Sequence, residues 1–356
     1  MEIKTETLKA MLSKAVKGAG NNKLLPITGL MKLTVAPNEL WITTTNMVNF
    51  LTVKGNLSDS DEFNGCVIEV EKFAKLVSKM TCEYVTINDK GNYLEVVGNG
   101  KYQIEIPLDE NGERIVYPDP VNHTHDELTV KRAIIDLVLN TCKPSLATTL
   151  EVPVYTNYYI GKEVLATDTF TISALDIEMF KDKKLLMSAD LMDLIGLIES
   201  EDVKFTFADE NYVYVSGGDV VVYGKLEDGI EEYAVDAISQ LAEQEFDSVC
   251  KFKKSEMLST LDRIALFVGA YDDRAVRLTF TENGINVESK QANSIETIPY
   301  VASENFTQFT CMINVDMLST QLKANMADVI EMQYGAENSV KLVDGAVTQV
   351  IALLEE

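Results

Sequence analysis

The residues best suited to catalysis or metal binding are few in this chain, and their spacing argues against chemistry. The only two histidines, His123 and His125, stand one residue apart in Val-Asn-His-Thr-His-Asp-Glu. With Asp126 they would offer an exposed metal two imidazoles and a carboxylate. The polar, proline-containing surroundings read instead as a solvated linker. The five cysteines, Cys66, Cys82, Cys142, Cys250 and Cys311, form no Cys-x-x-Cys pair and are odd in number. They read as buried free thiols of a reducing compartment. There is no glycine-rich phosphate loop, no Gly-x-Ser-x-Gly and no Cys/His couple near a strand end. The carboxylates are spread along the chain, so none is singled out as a general acid or base. No metal, cofactor or catalytic residue is expected.

Binding is the better prospect, and one stretch raises it. In Lys-Glu-Val-Leu-Ala-Thr-Asp-Thr-Phe-Thr-Ile-Ser-Ala-Leu, residues 162–175, two short strands flank Thr167-Asp168-Thr169. Phe170 follows at the mouth of a turn where Gly or Asn is more usual. An aromatic there needs either a core or a partner to cover it.

The elements around it repeat. The 356 residues, 46% hydrophobic, suffice for two or three domains with real cores. Three stretches share one pattern of short strand, amphipathic helix and three strands, beginning near Cys66, Leu185 and Cys311. The strand after each helix contains Val85, Val203 and Val329, 118 and 126 residues apart. A second series of helices begins near Thr5, Val130 and Ser255, each followed by a hairpin. All six helices space apolar residues at i, i+3, i+4 and i+7, as in Leu8, Met11, Leu12 and Ala15. This predicts an α+β chain of three domains, 1–122, 123–244 and 245–356, each with two helices packed on two antiparallel sheets. The boundaries fall at Tyr-Pro-Asp-Pro-Val-Asn-His-Thr-His-Asp-Glu and at the acidic Leu-Ala-Glu-Gln-Glu-Phe-Asp-Ser.

That grammar resembles the bacterial β sliding clamp, the processivity subunit of the replicative DNA polymerase. Asn-Asn-Lys-Leu-Leu-Pro-Ile-Thr-Gly and the hairpin after it are similar to the family's first domain. Leu-Ala-Thr-Asp sits where the family writes Ala-Thr-Asp-Gly-His-Arg-Leu, so residues 169–172 replace its Gly-His-Arg-Leu. Lys-Leu-Glu-Asp-Gly-Ile-Glu-Glu-Tyr resembles the close of its second domain, and Asp-Asp-Arg-Ala-Val-Arg-Leu a strand of its third. The resemblance implies a homodimeric ring around duplex DNA, without catalytic residues of its own. It also implies a hydrophobic pocket that takes linear peptides of the polymerase and the clamp loader. Thr167, Phe170 and Ile172 would form one wall of that pocket. Val350, Ala352, Leu353 and Leu354, in a terminal edge strand, would form the other. The ring's seam would use Leu266 and Phe267 together with Tyr102 and Ile104.

Charge can be set beside this picture. The chain carries 31 Lys and Arg against 56 Asp and Glu, a net charge of −25. An acidic exterior repels DNA, so any contact must be local. Taking 100° per residue from Val70, Lys72, Lys75 and Lys79 cluster opposite the apolar Phe73, Ala74 and Val77. Lys9, Lys14 and Lys17 lie away from Leu8 and Leu12, and Lys23 follows in a loop. Arg132 and Lys143 share a polar face in the second domain. These nine residues are the expected nonspecific DNA lining. The N-terminus has no apolar leader and no run reaches a membrane-spanning length, so a cytoplasmic protein with no membrane partner is expected. A clamp-like scaffold that sequesters replication proteins without encircling DNA is the alternative, with an enzyme lacking recognisable motifs behind it.

Overall fold

The computed structural model describes all residues except 60–62, 64, 121–126, 178, 209–210, 270–272, 290–293, 337 and 356. It divides into two compact units: Met1–Ile135 with Asp190–Leu226, and Asp136–Ala189 with Glu227–Glu356.

In the first unit, helix α1 (Thr5–Gly18) buries Leu8, Met11, Leu12 and Ala15, and α2 (Val70–Ser78) buries Val70, Phe73 and Val77. These are the stripes the spacing predicts, and the two helices pack side by side. Beneath them lie two antiparallel sheets. The smaller runs Glu2–Lys4, Tyr84–Asp89, Tyr93–Val97, Lys101–Glu105. The larger has eight strands: Cys66–Glu69, Leu30–Ala36, Glu39–Thr45, Phe50–Asn56, Val220–Lys225, Tyr212–Gly217, Asp202–Ala208 and Glu127–Lys131. Strand alternation sets its faces: Leu40 and Ile42 point into the core while Trp41 points away. Close approach of α1 needs Gly55, where a Cβ would come within 2.3 Å of the Met11 sulfur.

Each repeat gives its leading strand to another sheet. Glu2–Lys4 leads into α1 yet pairs with Tyr84–Asp89, the strand after α2. Conversely, Cys66–Glu69 leads into α2 and pairs with Leu30–Ala36, the strand region after α1. The exchange ties the two halves of the repeat pair together.

The chain then supplies α3 (Arg132–Thr141) and α4 (Ala189–Ile195). In the second unit follow α5 (Val235–Glu243), α6 (Lys254–Ile264) and α7 (Val315–Ala324). A four-stranded sheet runs Ile295–Pro299, Gly284–Ser289, Ala275–Thr281, Phe309–Asn314. The second sheet has nine strands. Its order is Leu185–Ser188, Asn157–Ile160, Val164–Thr167, Thr171–Leu175, Val347–Ala352, Ser339–Asp344, Val329–Tyr334, Ser248–Lys253 and Ala302–Glu304. Lead strands exchange here as well, since Ser248–Lys253 precedes α6 and pairs with Val329–Tyr334 after α7.

Two expectations need correction. Residues 235–243 form α5, a helix the sequence did not suggest; it buries Ile238 and Ala242 and runs into the acidic stretch 241–248 taken as a boundary. The C-terminal strand is not an edge: Val347–Ala352 is hydrogen-bonded to Thr171–Leu175 on one side and Ser339–Asp344 on the other. Its apolar run suits a strand covered on both faces, and Ile351 is fully buried.

Candidate functional site

The stretch that opened the binding question is a tight turn built by side chains. Asp168 Oδ1 accepts from the backbone N–H of Phe170 at 2.9 Å, from that of Thr171 at 2.6 Å and from the Thr171 hydroxyl at 3.0 Å. Thr167 Oγ1 donates to the Thr171 carbonyl at 2.8 Å and accepts from Thr169 N–H at 3.0 Å. This is an Asx-type turn, and it carries Thr169 at φ +77°, a left-handed conformation that costs a β-branched residue about 1–2 kcal/mol. The side-chain bonds hold what a glycine would adopt freely. Asp168→Ala should therefore loosen the turn and lower unfolding free energy by about 2 kcal/mol, read as a drop in melting temperature. An unchanged melting temperature would show that the turn does not depend on this carboxylate.

The turn thrusts Phe170 outward, and its residue is 57% exposed. The chain's end lies beside it. Ala352 N–H donates to the Phe170 carbonyl at 2.9 Å, and Ile172 stands opposite Val350 in the ladder. Leu353 N–H bonds the Asn338 carbonyl, and Leu354 N–H the Met312 carbonyl, both at 2.9 Å. The two segments expected to wall the pocket are thus adjacent, but not all of the wall is open. Thr167, Ile172 and Val350 are 3%, 7% and 5% exposed. Ile172 and Val350 belong to an apolar cluster with Leu165, Ala174 and the buried face of α5. Phe170 and the half-buried Ala352, Leu353 and Leu354 supply the accessible apolar surface.

α5 is pinned at its C-terminal end. The buried ammonium of Lys341 donates to the Ala242 and Gln244 carbonyls, groups left unsatisfied by the helix. Burial lowers the Lys341 pKa below the ordinary lysine value. Ser239 donates to Glu163 beneath the helix. Sequence reasoning missed α5, although Val235, Ile238 and Ala242 at i, i+3 and i+7 were its signal.

The lysines expected at DNA divide in two. Lys17, Lys23, Lys72, Lys75 and Lys79 are exposed on or beside the packed pair α1 and α2. Lys75 is paired with Glu71 one turn away at 2.6 Å. Lys9 and Lys14 instead have partners in the first unit: Lys9 donates to the Met80 carbonyl at 2.6 Å, and Lys14 bonds Asp219 at 3.1 Å. Arg132 donates to the Gly196 carbonyl at 2.8 Å and to that of Ile198, just beyond α4. Lys143 is exposed at the start of a single 3₁₀ turn, Lys143–Ser145.

Of the seam residues, Leu266 and Phe267 are 82% and 55% exposed after α6. Tyr102 is 36% exposed on the edge strand Lys101–Glu105, but Ile104 is 3% exposed and faces the core. Alternation puts the two on one face of the strand, where Ile104 is buried and Tyr102 is not. A second edge strand, Ile295–Pro299, carries the exposed Ile295 and was not singled out by sequence.

Burial pushes the thiols of Cys66, Cys142, Cys250 and Cys311 up to about 12, so they are neither thiolates nor ready nucleophiles at neutral pH. Among the described residues no three His, Cys, Asp or Glu side chains gather as a metal site. His123, His125 and Asp126 lie outside the described residues. No described helix is long and apolar enough to cross a membrane.

Compared by sequence, the chain matches no family model and no curated protein. Its structure gives a different result. It is similar to the β subunit of the DNA polymerase of Streptococcus pyogenes, with a TM-score of 0.88 and 16% identity over 100% of this chain and 99% of that one. The sliding clamp of Bacillus subtilis gives 0.85 at 15% identity, covering 100% and 98%. The β subunit of DNA polymerase III from Borrelia burgdorferi, solved with a natural product, gives 0.86 at 17%, covering 99% and 98%. The chain has the sliding-clamp fold. End-to-end coverage in both directions means that every repeat of that fold has a counterpart here. The low identity explains why the resemblance in sequence lies in the order and spacing of short motifs.

Proposed function

We propose that this chain is a DNA polymerase processivity factor, two copies of which close into a ring around duplex DNA. The reading also takes the chain as three domains, 1–122, 123–244 and 245–356, with the replicative polymerase and clamp loader as peptide-borne partners at Phe170 and the C-terminus. The observation that carries it is the sliding-clamp fold over the whole chain. The exposed lysines of α1 and α2 support it, since they offer phosphate contacts that carry no sequence information. A weakly basic lining in an acidic protein suits a sliding tether, because each added phosphate contact would raise salt-sensitive affinity and slow motion. The role is that of an accessory subunit and not of an enzyme.

The test is retention on circular DNA after loading. Linearising the plasmid should release the protein whatever the sequence, because topology does the holding. Reversing Lys72, Lys75 and Lys79 to glutamate should shorten retention and reduce the salt slope by about 0.9 for each phosphate no longer neutralised. Equal loss from reversing Lys183 and Lys184 would place the DNA on another face. A scaffold that never encircles DNA would behave alike on circular and linear plasmids.

A further inference from the structure

The first unit's large sheet has an open groove on the face turned away from α1. Trp41, Phe50, Thr52, Lys54, Tyr214 and Tyr223 line it, and it holds about 360 Å³. Its floor is tied by the Thr43–Thr52 hydroxyl pair at 2.9 Å. Phe50 meets Tyr223 edge-on at 6.0 Å, and Tyr223 stacks on Tyr212 at 5.1 Å. The Lys54 ammonium sits 4.5 Å from the centre of the Trp41 ring and meets no carboxylate among the described residues. At the rim Lys32 is paired with Asp119 at 2.6 Å.

The second unit shows what such a face is for, because the two sheets repeat each other. The turn at residues 45–49 copies that at 167–171. Asn46 Oδ1 accepts from the Val48 and Asn49 N–H groups, Thr45 Oγ1 donates to the Asn49 carbonyl, and Met47 takes φ +76°. Aligned on those turns, Thr43 corresponds to Leu165, Phe50 to Ile172 and Thr52 to Ala174. Tyr223, opposite Phe50, then corresponds to Val350, opposite Ile172. In the second unit this patch is covered by α5 through Ile238 and Ala242. In each unit a tyrosine ties the following segment back to the sheet, though on different strands: Tyr233 hydroxyl donates to the Leu165 carbonyl, and Tyr117 hydroxyl to the Leu30 carbonyl. After Tyr233 the chain enters α5, whereas the three described residues after Tyr117, Pro118-Asp119-Pro120, are not helical.

We infer that the groove of the first unit is a docking site for a short, acidic, amphipathic segment of a partner protein, seated as α5 is seated on the second unit. The floor is more aromatic than its counterpart and offers the Phe50–Tyr223 pair as a surface for a large apolar side chain. The charge follows from the rim. Lys32 already holds the chain's own Asp119, and Lys54 offers the same contact to a carboxylate from outside. In a chain of net charge −25, Lys54, which meets no carboxylate among the described residues, favours an anionic partner locally. The site needs neither ring closure nor DNA.

Trp41, the only tryptophan, reports on the groove directly. The probe is a synthetic peptide of residues 233–244, the α5 segment, titrated into the full chain while Trp41 emission is followed. Saturable change is expected, absent with a peptide of the same composition in scrambled order. Lys54→Glu should weaken it several-fold, and Thr52→Tyr, which fills the groove, should abolish it, with melting temperatures near that of the parent. Either variant alone decides the matter if the other fails to fold. No change with the α5 peptide, an equal change with the scrambled one, or saturation by single-stranded oligothymidylate in place of peptide would each overturn the inference.

Discussion

Changing Leu266 and Phe267 together to aspartate should convert the proposed dimer of about 79 kDa, twice 39.6 kDa, into a monomer. The two side chains project from a 3₁₀ turn, Ala265–Phe267, that the rest of the second unit holds firmly. Arg274 donates to the Ala265 carbonyl at 3.2 Å and the Val268 carbonyl at 3.1 Å, while its other nitrogens grip Asp316 at 2.7 and 2.9 Å. Backbone and side chains are therefore separable: the turn is anchored from behind, and its apolar residues are free of the core. At 82% and 55% exposure, their burial in a seam would contribute about 2 kcal/mol each, and buried aspartates would add a desolvation cost. In the proposed ring the partner surface would be a sheet edge. Among the described residues, Lys101–Glu105 and Ile295–Pro299 both end their sheets with unpaired backbone groups, which a second copy can pair. Sedimentation should show the dimer lost and the melting of the monomer little changed. If the double variant sediments as the parent does, the seam lies elsewhere.

How far the sequence carried these readings depended on whether the signal was local. The helix stripes were legible because periodicity is written within each helix, and Leu8, Met11, Leu12 and Ala15 are all buried. The turn at Thr167-Asp168-Thr169 was legible as an anomaly, and the outward Phe170 follows from it. The exchange of leading strands was not legible, since nothing in Glu2-Ile3-Lys4 names a partner beginning at Tyr84. Nor was the commitment of Lys14 to Asp219, 205 residues away, where a helical wheel saw only a polar face. α5 escaped notice because it is only nine residues long and lies between acidic stretches. The C-terminal strand was misjudged through position: a chain end suggests an edge, whereas Val347–Ala352 is paired on both sides with strands that nothing in its local sequence names.

That last difference alters what a truncation should do to partner binding. Removing residues 350–356 would take Val350 and Ile351, 5% and 0% exposed, from a strand paired on both sides. Broad destabilisation is expected, so such a variant cannot report on binding alone. Removing residues 353–356 spares the Val347–Ala352 ladder and sacrifices the backbone bonds of Leu353 and Leu354 to Asn338 and Met312. The apolar surface left at the site is then Phe170 and Ala352. A linear peptide that anchors through one or two large apolar side chains draws most of its energy from a few covered residues. Losing the aromatic ring by Phe170→Ala should cost about 1–3 kcal/mol of peptide affinity, roughly five- to 150-fold. Deleting 353–356 should weaken the same peptide comparably, because it removes the half-buried leucines that follow Ala352, whose N–H bonds the Phe170 carbonyl. The turn should survive Phe170→Ala, since Asp168 holds it through backbone groups and the Thr171 hydroxyl. Calorimetric titration with a polymerase-derived peptide separates the cases. Unchanged affinity in both variants, with parental melting, would remove the partner site from this corner of the second unit and leave Phe170 without a binding role.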